Sequence, residues 1–179
     1  MRYPYHFWPS ALDDKMCDKI ISQAMESKAQ AAQLFSSSDS LSSWRSSTVR
    51  WLSASWIADL LLPYAKQANE NFDIAFDGQI EMQFTEYHAA DKGHYDWHHD
   101  VNWHGQTGQD RKLSLTIQLS DSADYEGGDF EFEEVTTETD FRPKGSILVF
   151  PSYLRHRVTT VTKGTRYALV AWYSGPQWR

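Results

Sequence analysis

Hydrophobic positions recur at helical spacing in the first third of the chain and at a spacing of two in the rest. Met16, Cys17, Ile20, Ile21, Ala24 and Met25 fall on one side of a helix. Ahead of them, Ser10-Ala11-Leu12-Asp13 has the spacing of a capping box, with Asp in place of the usual Glu, and predicts a helix start at Ser10. A second helix is expected over about 55–71, with Trp56, Ile57, Leu60, Leu61 and Tyr64 on one side. Pro63 should kink or split it, because proline removes a backbone donor and crowds the preceding turn. Between these helices, eight of the twelve residues from Ser36 to Ser47 are Ser. Such a run buries little and reads as a mobile loop. Trp44, Arg45, Arg50 and Trp51 at its far end fit either a return to the core or a lid over substrate.

From Gln79 onward the period is that of a β-strand. Ile80, Met82 and Phe84 alternate with Glu81, Gln83 and Thr85, and Leu113, Leu115, Ile117 and Leu119 alternate with Ser114, Thr116 and Gln118. Residues 147–150 are wholly apolar, and over 166–173 Tyr167, Leu169, Ala171 and Tyr173 alternate with Arg166, Ala168, Val170 and Trp172. Gly127-Gly128 and Pro143-Lys144-Gly145 punctuate these runs as turns. Helices followed by many short strands predict a mainly β sandwich or barrel supported by helices. The polar faces of 80–87 and 113–119 either meet water or line a cavity inside that barrel. Alternation alone leaves both open.

Length, charge and cysteine count narrow the class. A chain of 179 residues, 41% hydrophobic and 15% aromatic, suits one compact domain with a sizeable core. A formal net charge of -7 argues against a nucleic-acid partner. The single cysteine, Cys17, rules out an internal disulfide and reads as a buried small hydrophobe. No stretch approaches the ~18 apolar residues of a membrane span, and no signal peptide is evident, so a cytoplasmic setting is expected. Nothing in the sequence addresses oligomeric state.

The densest chemistry is Gly93-His94-Tyr95-Asp96-Trp97-His98-His99-Asp100. Side chains at i and i+2 of a strand point the same way, so an imidazole and a carboxylate at that spacing can converge on one metal. With a distant His they make the 2-His-1-carboxylate set of non-haem iron sites, which leaves three positions open. With 7 His and 15 Asp in 179 residues, chance alone gives roughly 7×15/179, or about 0.6, His-x-Asp matches. Two occur, His94-x-Asp96 and His98-x-Asp100, and spacing does not choose between them. His156 follows a short apolar strand and a Pro151-Ser152-Tyr153 turn. Arg166 shares a strand face with Ala168, Val170 and Trp172. If that face points inward, the guanidinium needs an anion. Otherwise it reaches solvent or one of the nine acids between Asp121 and Asp140.

Taken in order, Tyr87, Gly93 and Tyr95-x-x-His98-x-Asp100, then Arg111-Lys112-Leu113-Ser114-Leu115-Thr116, Tyr125-Glu126-Gly127-Gly128, Pro143-Lys144-Gly145, Phe150-Pro151-Ser152 with His156, and Thr165-Arg166-Tyr167 resemble the prolyl 4-hydroxylase-like branch of the Fe(II)/2-oxoglutarate-dependent dioxygenases. The resemblance covers roughly 79–174. It implies a double-stranded β-helix (a jelly-roll, cupin-like core) over 79–174, with 1–78 as mostly helical support and Ser-rich loop. It implies Fe(II) on His98, Asp100 and His156 rather than on His94 and Asp96. It implies 2-oxoglutarate with its distal carboxylate on Arg166 and Tyr87 beside it, O2 as second substrate, and ascorbate as a candidate reductant. The implied reaction is hydroxylation of an unactivated C–H bond, by analogy a prolyl residue of a peptide or protein, releasing succinate and CO2. In some relatives a Tyr stands near the position of Gln118, so that part of the pocket is expected to differ. Trp44, Arg45, Trp51, Trp97, Trp103, Arg111 and Trp172 are candidates for a substrate groove, and the loop Val101 to Asp110 could move. The acidic run 121–140 could attract a basic peptide or be a solvated hairpin. The rival readings are the same chemistry on a small molecule or nucleobase, a non-catalytic metal-binding barrel, and a zinc hydrolase. The last lacks an evident general base near the cluster.

Overall fold

A computed structural model of the chain describes residues 3–32, 44–105 and 107–179. Among the described residues two α-helices, α1 (Asp14–Met25) and α2 (Ser55–Phe72), accompany twelve strands. The strands are β1 (His6–Trp8), β2 (Gln30–Ala31), β3 (Arg45–Ser46), β4 (Thr48–Leu52), β5 (Ile80–His88), β6 (His94–His98), β7 (Gln109–Gln118), β8 (Tyr125–Gly127), β9 (Phe130–Phe132), β10 (Ile147–Pro151), β11 (His156–Val158) and β12 (Val161–Pro176). The larger sheet runs β1-β10-β7-β12-β5-β4-β2, with β8 paired to β12, and the smaller runs β3-β6-β11-β9. Inward residues of both sheets line one common chamber, so the sheets face each other as a jelly roll. Residues 36–43 of the expected Ser-rich loop lie outside the described residues, and Trp44 and β3 follow them directly.

The alternation in β5, β7, β10 and β12 sorts side chains between two environments. Met82, Phe84, Leu115, Ile117, Leu119, Ile147, Val149, Leu169 and Ala171 pack beneath Cys17, Ile20 and Ala24 of α1 and Ile57, Leu61 and Ala68 of α2. The opposite face carries Gln83, Thr116, Arg166 and Trp172 into the chamber. The polar rows therefore face a cavity, and only Glu81 at the outer end of the β5 row is exposed. None of the described helices is long and apolar enough to cross a membrane.

Three local expectations change. The cap of α1 is Asp13, whose carboxylate accepts from the Met16 N–H at 2.8 Å, so the helix starts three residues after the expected position. Ser10 instead adopts a left-handed backbone and gives its N–H to the Ser146 hydroxyl. Pro63 does not split α2: it and Asp59, whose carbonyl loses its partner, are both exposed, so water can satisfy that group. The N-terminal third, expected to be mostly helical, also holds four short strands. β1 extends the sheet through β10, β4 pairs with β5, β2 pairs with β4, and β3 pairs with β6. At two to five residues each, they are too short to show a period.

Phe84 is fully buried where β5 meets the helices. Phe84→Ala is expected to destabilise the protein by about 3–5 kcal/mol in urea unfolding, from lost burial plus the cavity left behind. A loss under about 1 kcal/mol would contradict this packing.

Candidate metal centre and substrate groove

β6 and β11 pair antiparallel with His98 opposite His156, and their imidazole centroids lie 4.2 Å apart. The next registered pair is Val158 with Tyr95, so β6 carries an extra residue, a β-bulge, between the two pairs. The bulge brings Tyr95 and His98 to the same side, where their rings stack at 3.4 Å. It also breaks the parity expected to join His94 and Asp96 to His98. Asp96 is exposed and accepts from the Trp97 N–H, His94 contacts the Lys92 carbonyl, and neither lines the chamber.

The ligating atoms of His98, Asp100 and His156 lie within 4.8 Å of one another, the one such trio found among the described residues. His98 Nε2 is 3.6 Å from Asp100 Oδ1, and His156 Nε2 is 3.7 Å from Asp100 Oδ2. Donors bound at about 2.1 Å on an octahedral edge lie about 3 Å apart, so an ion would draw these together by roughly half an ångström. Each imidazole is oriented from behind. His98 Nδ1 donates to the Asp96 carbonyl at 2.7 Å and His156 Nδ1 to the Leu154 carbonyl at 2.9 Å, which leaves both Nε2 lone pairs facing the carboxylate. Asp100 Oδ2 accepts from the Ser114 hydroxyl at 2.6 Å, Ser114 Oγ lies 2.9 Å from Ser152 Oγ, and the Asp100 N–H donates to the Ser152 carbonyl.

Electrostatics favour the coordinating forms. Burial, with His156 beside it, holds His98 well below the usual imidazole range, so the ring is neutral. Burial works against charge on Asp100, but His156, His98, Arg111 and the Ser114 hydrogen bond outweigh it and hold the carboxyl at about 2. Burial pushes the Tyr95 hydroxyl up to about 12. Two imidazole nitrogens and an ionised carboxylate form a donor set suited to a divalent first-row ion.

The trio sits where two spaces join. The inner chamber, about 40 Å³, is bounded by Tyr87, Thr116, Phe130, Arg166 and Val170. Arg166 is buried there, and among the described residues its guanidinium has neither a hydrogen-bonded acceptor nor a carboxylate partner. Its Cζ lies 5.6 Å from the centre of the Tyr87 ring. Gly128, at positive φ, lies against the Arg166 stem: an added Cβ would come within 3.0 Å of its Cδ. Beyond the trio, a groove of about 730 Å³ opens outward. All seven residues expected to shape a groove line it, Arg111, Trp172 and Trp103 among them. Arg111 lies 3.7 Å over the Trp172 ring and pairs with Glu81, and the Trp103 indole N–H donates to His99. No residue of the acidic run 121–140 lines this groove.

Ser114 and Ser152 are the functional positions the sequence reading missed as partners of Asp100. Ser114 was legible only as one of an inward polar row with Thr116 and Gln118, and Ser152 only as part of a turn. Gln118 donates to the Tyr125 hydroxyl rather than to any expected ligand position.

A family described as the 2OG-Fe(II) oxygenase superfamily matches residues 82–174. A PKHD-type hydroxylase from Synechococcus sp. (strain CC9311) is 30% identical over 149 residues, covering 68% of this chain and 66% of that protein. The aligned stretches span less than two thirds of such curated relatives' own length. A Pseudomonas putida prolyl-4-hydroxylase superposes with a TM-score of 0.74 at 14% identity over 96% of this chain and 92% of its own. A Trichoplax adhaerens prolyl hydroxylase, solved with a hypoxia inducible factor oxygen degradation domain peptide, gives 0.75 at 16% identity over 95% and 83%. At such identities these structures establish a shared fold, the double-stranded β-helix.

This geometry predicts that His98→Ala abolishes Mn(II) binding in isothermal titration, whereas His94→Ala keeps the affinity within about threefold. The reverse pattern would move the metal centre. Ser114→Ala is expected to weaken Mn(II) binding by about 10- to 100-fold, with near-normal thermal unfolding, since it removes the donor that orients Asp100. An unchanged affinity would leave that hydrogen bond without a role in metal binding.

Proposed function

Since the chain belongs to the 2OG-Fe(II) oxygenase superfamily, we propose that it is an Fe(II)- and 2-oxoglutarate-dependent dioxygenase that hydroxylates an unactivated C–H bond, with a prolyl residue of a peptide or protein as its substrate. His98, Asp100 and His156 hold the metal, and Arg166 and Tyr87 hold 2-oxoglutarate. The observation that carries this reading is the meeting of three lone-pair donors beside a buried guanidinium that has no acceptor among the described residues.

When bound, iron and 2-oxoglutarate supply with O2 the oxidising power for hydroxylation, leaving succinate and CO2. The protein's own residues do the positioning. A buried guanidinium without a partner is unfavourable, and a carboxylate of the co-substrate relieves it through two parallel hydrogen bonds. Gly128 gives the Arg166 stem its room. Phe130, Phe150 and Val158 give the inner chamber apolar walls. Trp172, lining both spaces, and Arg111 and Trp103 in the groove shape the approach to the metal.

A peptide substrate is supported by the groove's aromatic walls, since aromatic-lined grooves suit proline-containing segments. It is supported too by a fold neighbour solved with a peptide bound. The reading takes 1–179 as a single catalytic domain working in the cytoplasm, with ascorbate as a candidate reductant.

The test is succinate formation from 2-oxoglutarate with Fe(II) and air, over a panel of proline-containing peptides. Peptide-stimulated succinate is the expected result. Metal binding without succinate under any condition would favour a non-catalytic barrel instead. Arg166→Ala is expected to raise the apparent KM for 2-oxoglutarate by at least ~10-fold, about one lost charge-assisted contact. An unchanged KM would remove Arg166 from this role.

A further inference from the structure

Seven arginines lie from Arg45 to Arg166. Five have a carboxylate partner: Arg50 with Glu86, Arg111 with Glu81, Arg142 with Asp129, Arg155 with Glu133 and Arg157 with Glu131. Among the described residues, the two without one are Arg45 and Arg166, and both line the inner chamber beside the metal trio. Arg166 is taken by the co-substrate in the reading above. Arg45, which also lines the outer groove, remains.

Arg45 is fixed by neutral groups. Its Nε donates to the Ser47 hydroxyl at 2.8 Å, its Nη2 donates to Gln83 Oε1 at 2.9 Å, and its guanidinium lies 4.3 Å over the ring of Tyr95. Tyr95 in turn stacks on His98. A guanidinium has five N–H donors, and these contacts use two. The side chain is therefore held in place at the junction of groove and chamber, and among the described residues no carboxylate compensates its charge and these contacts leave it donors to spare. Its rotamer freedom is largely lost before any ligand arrives, which favours binding an anion.

The neighbouring unit shows the contrast. Glu81 and Gln83 sit two residues apart on β5, about 7 Å along the same face. Glu81 pairs with Arg111 over the Trp172 ring, and Gln83 accepts from Arg45 over the Tyr95 ring. The two arginine-on-aromatic units have the same form, but among the described residues only the first carries its own counter-charge. One end of the groove is thus neutral and the other cationic, within a chain of net charge -7. That diffuse negative charge acts over distances at which physiological salt screens it, with a Debye length of about 8 Å, whereas a contact at Arg45 escapes most of that screening.

We propose that Arg45 is an anion subsite for the substrate, taking the side-chain carboxylate of an acidic residue adjacent to the target residue of a peptide lying along the groove. This rests on the oxygenase reading above and specifies its substrate class: acidic on one side of the target and neutral on the other.

The test uses synthetic acetylated and amidated pentapeptides with a central proline, in two series, with Glu, Gln or Lys immediately before or immediately after it. Binding is read by tryptophan fluorescence in protein loaded with Mn(II) and 2-oxoglutarate under anaerobic conditions, where no turnover occurs. The Glu peptide of one series is expected to bind at least about tenfold tighter than its Lys counterpart. Arg45→Glu should invert that order, and Arg45→Gln should bring the three peptides within about twofold. Should one variant fail to fold, the other decides. A peptide order indifferent to the Arg45 variants, or no discrimination by the native protein, overturns the proposal. So does a weaker affinity for 2-oxoglutarate in the variants with the peptide order unchanged, because Arg45 would then belong to the co-substrate. Peptides that bind in the expected order yet yield no succinate with Fe(II) and air sink the oxygenase reading and leave the subsite standing.

Discussion

Everything at the centre of this molecule turns on where three buried polar side chains send their hydrogen bonds. A buried imidazole or carboxylate is unfavourable unless its polar atoms are satisfied. In His98 and His156 the Nδ1 proton goes outward to a carbonyl two residues back in the chain, and Asp100 takes a hydroxyl on Oδ2. What is left unsatisfied on each is lone-pair capacity pointed at one spot. The arrangement is thus stable enough to fold and incomplete without a cation. Antiparallel pairing of β6 with β11 sets His98 across from His156, and the bulge in β6 selects which His-x-Asp pair faces inward.

The remainder of the fold keeps those three side chains still. The apolar rows of β5, β7, β10 and β12 seal against α1 and α2, and the polar rows are thereby committed to the interior. Commitment has a consequence for charge. Arg166 on β12 is carried into the chamber by the same alternation that buries Leu169 and Ala171 on the other face. A cation brought in this way, with no acid among the described residues to meet it, defines the chemistry of what it binds more sharply than the chamber's shape does. Arg45, brought in from β3 at the other wall, repeats the logic at the entrance.

Much of this was legible in the sequence, because it rests on period. Strand alternation over 80–84, 113–119 and 166–173 marked both faces of the main sheet, and helical spacing marked α1 and α2. His98, Asp100, His156 and Arg166 stood out as residue types at suggestive positions. The choice between His94-x-Asp96 and His98-x-Asp100 did not come from spacing, since a bulge is a tertiary event that shifts parity without changing composition. The pairing of Ser114 with Ser152 behind Asp100 was equally invisible, because it joins β7 to the turn after β10, which meet only in the folded protein. β1 to β4 were missed because strands of two to five residues are too short to show a period. Pro63 misled for a simpler reason: the helix rule assumes that the freed carbonyl has nowhere to go, and on an exposed face it has water.

The central claim is that His98, Asp100 and His156 hold one divalent ion whose open positions accept 2-oxoglutarate opposite Arg166. Anaerobic titration of 2-oxoglutarate into Fe(II)-loaded protein, followed by visible absorption, examines it most directly. A metal-to-ligand charge-transfer band that saturates at one equivalent of each, and is missing from the His156→Ala protein, is the predicted result. Iron that binds with no such band, or a band that persists in His156→Ala, would contradict the account.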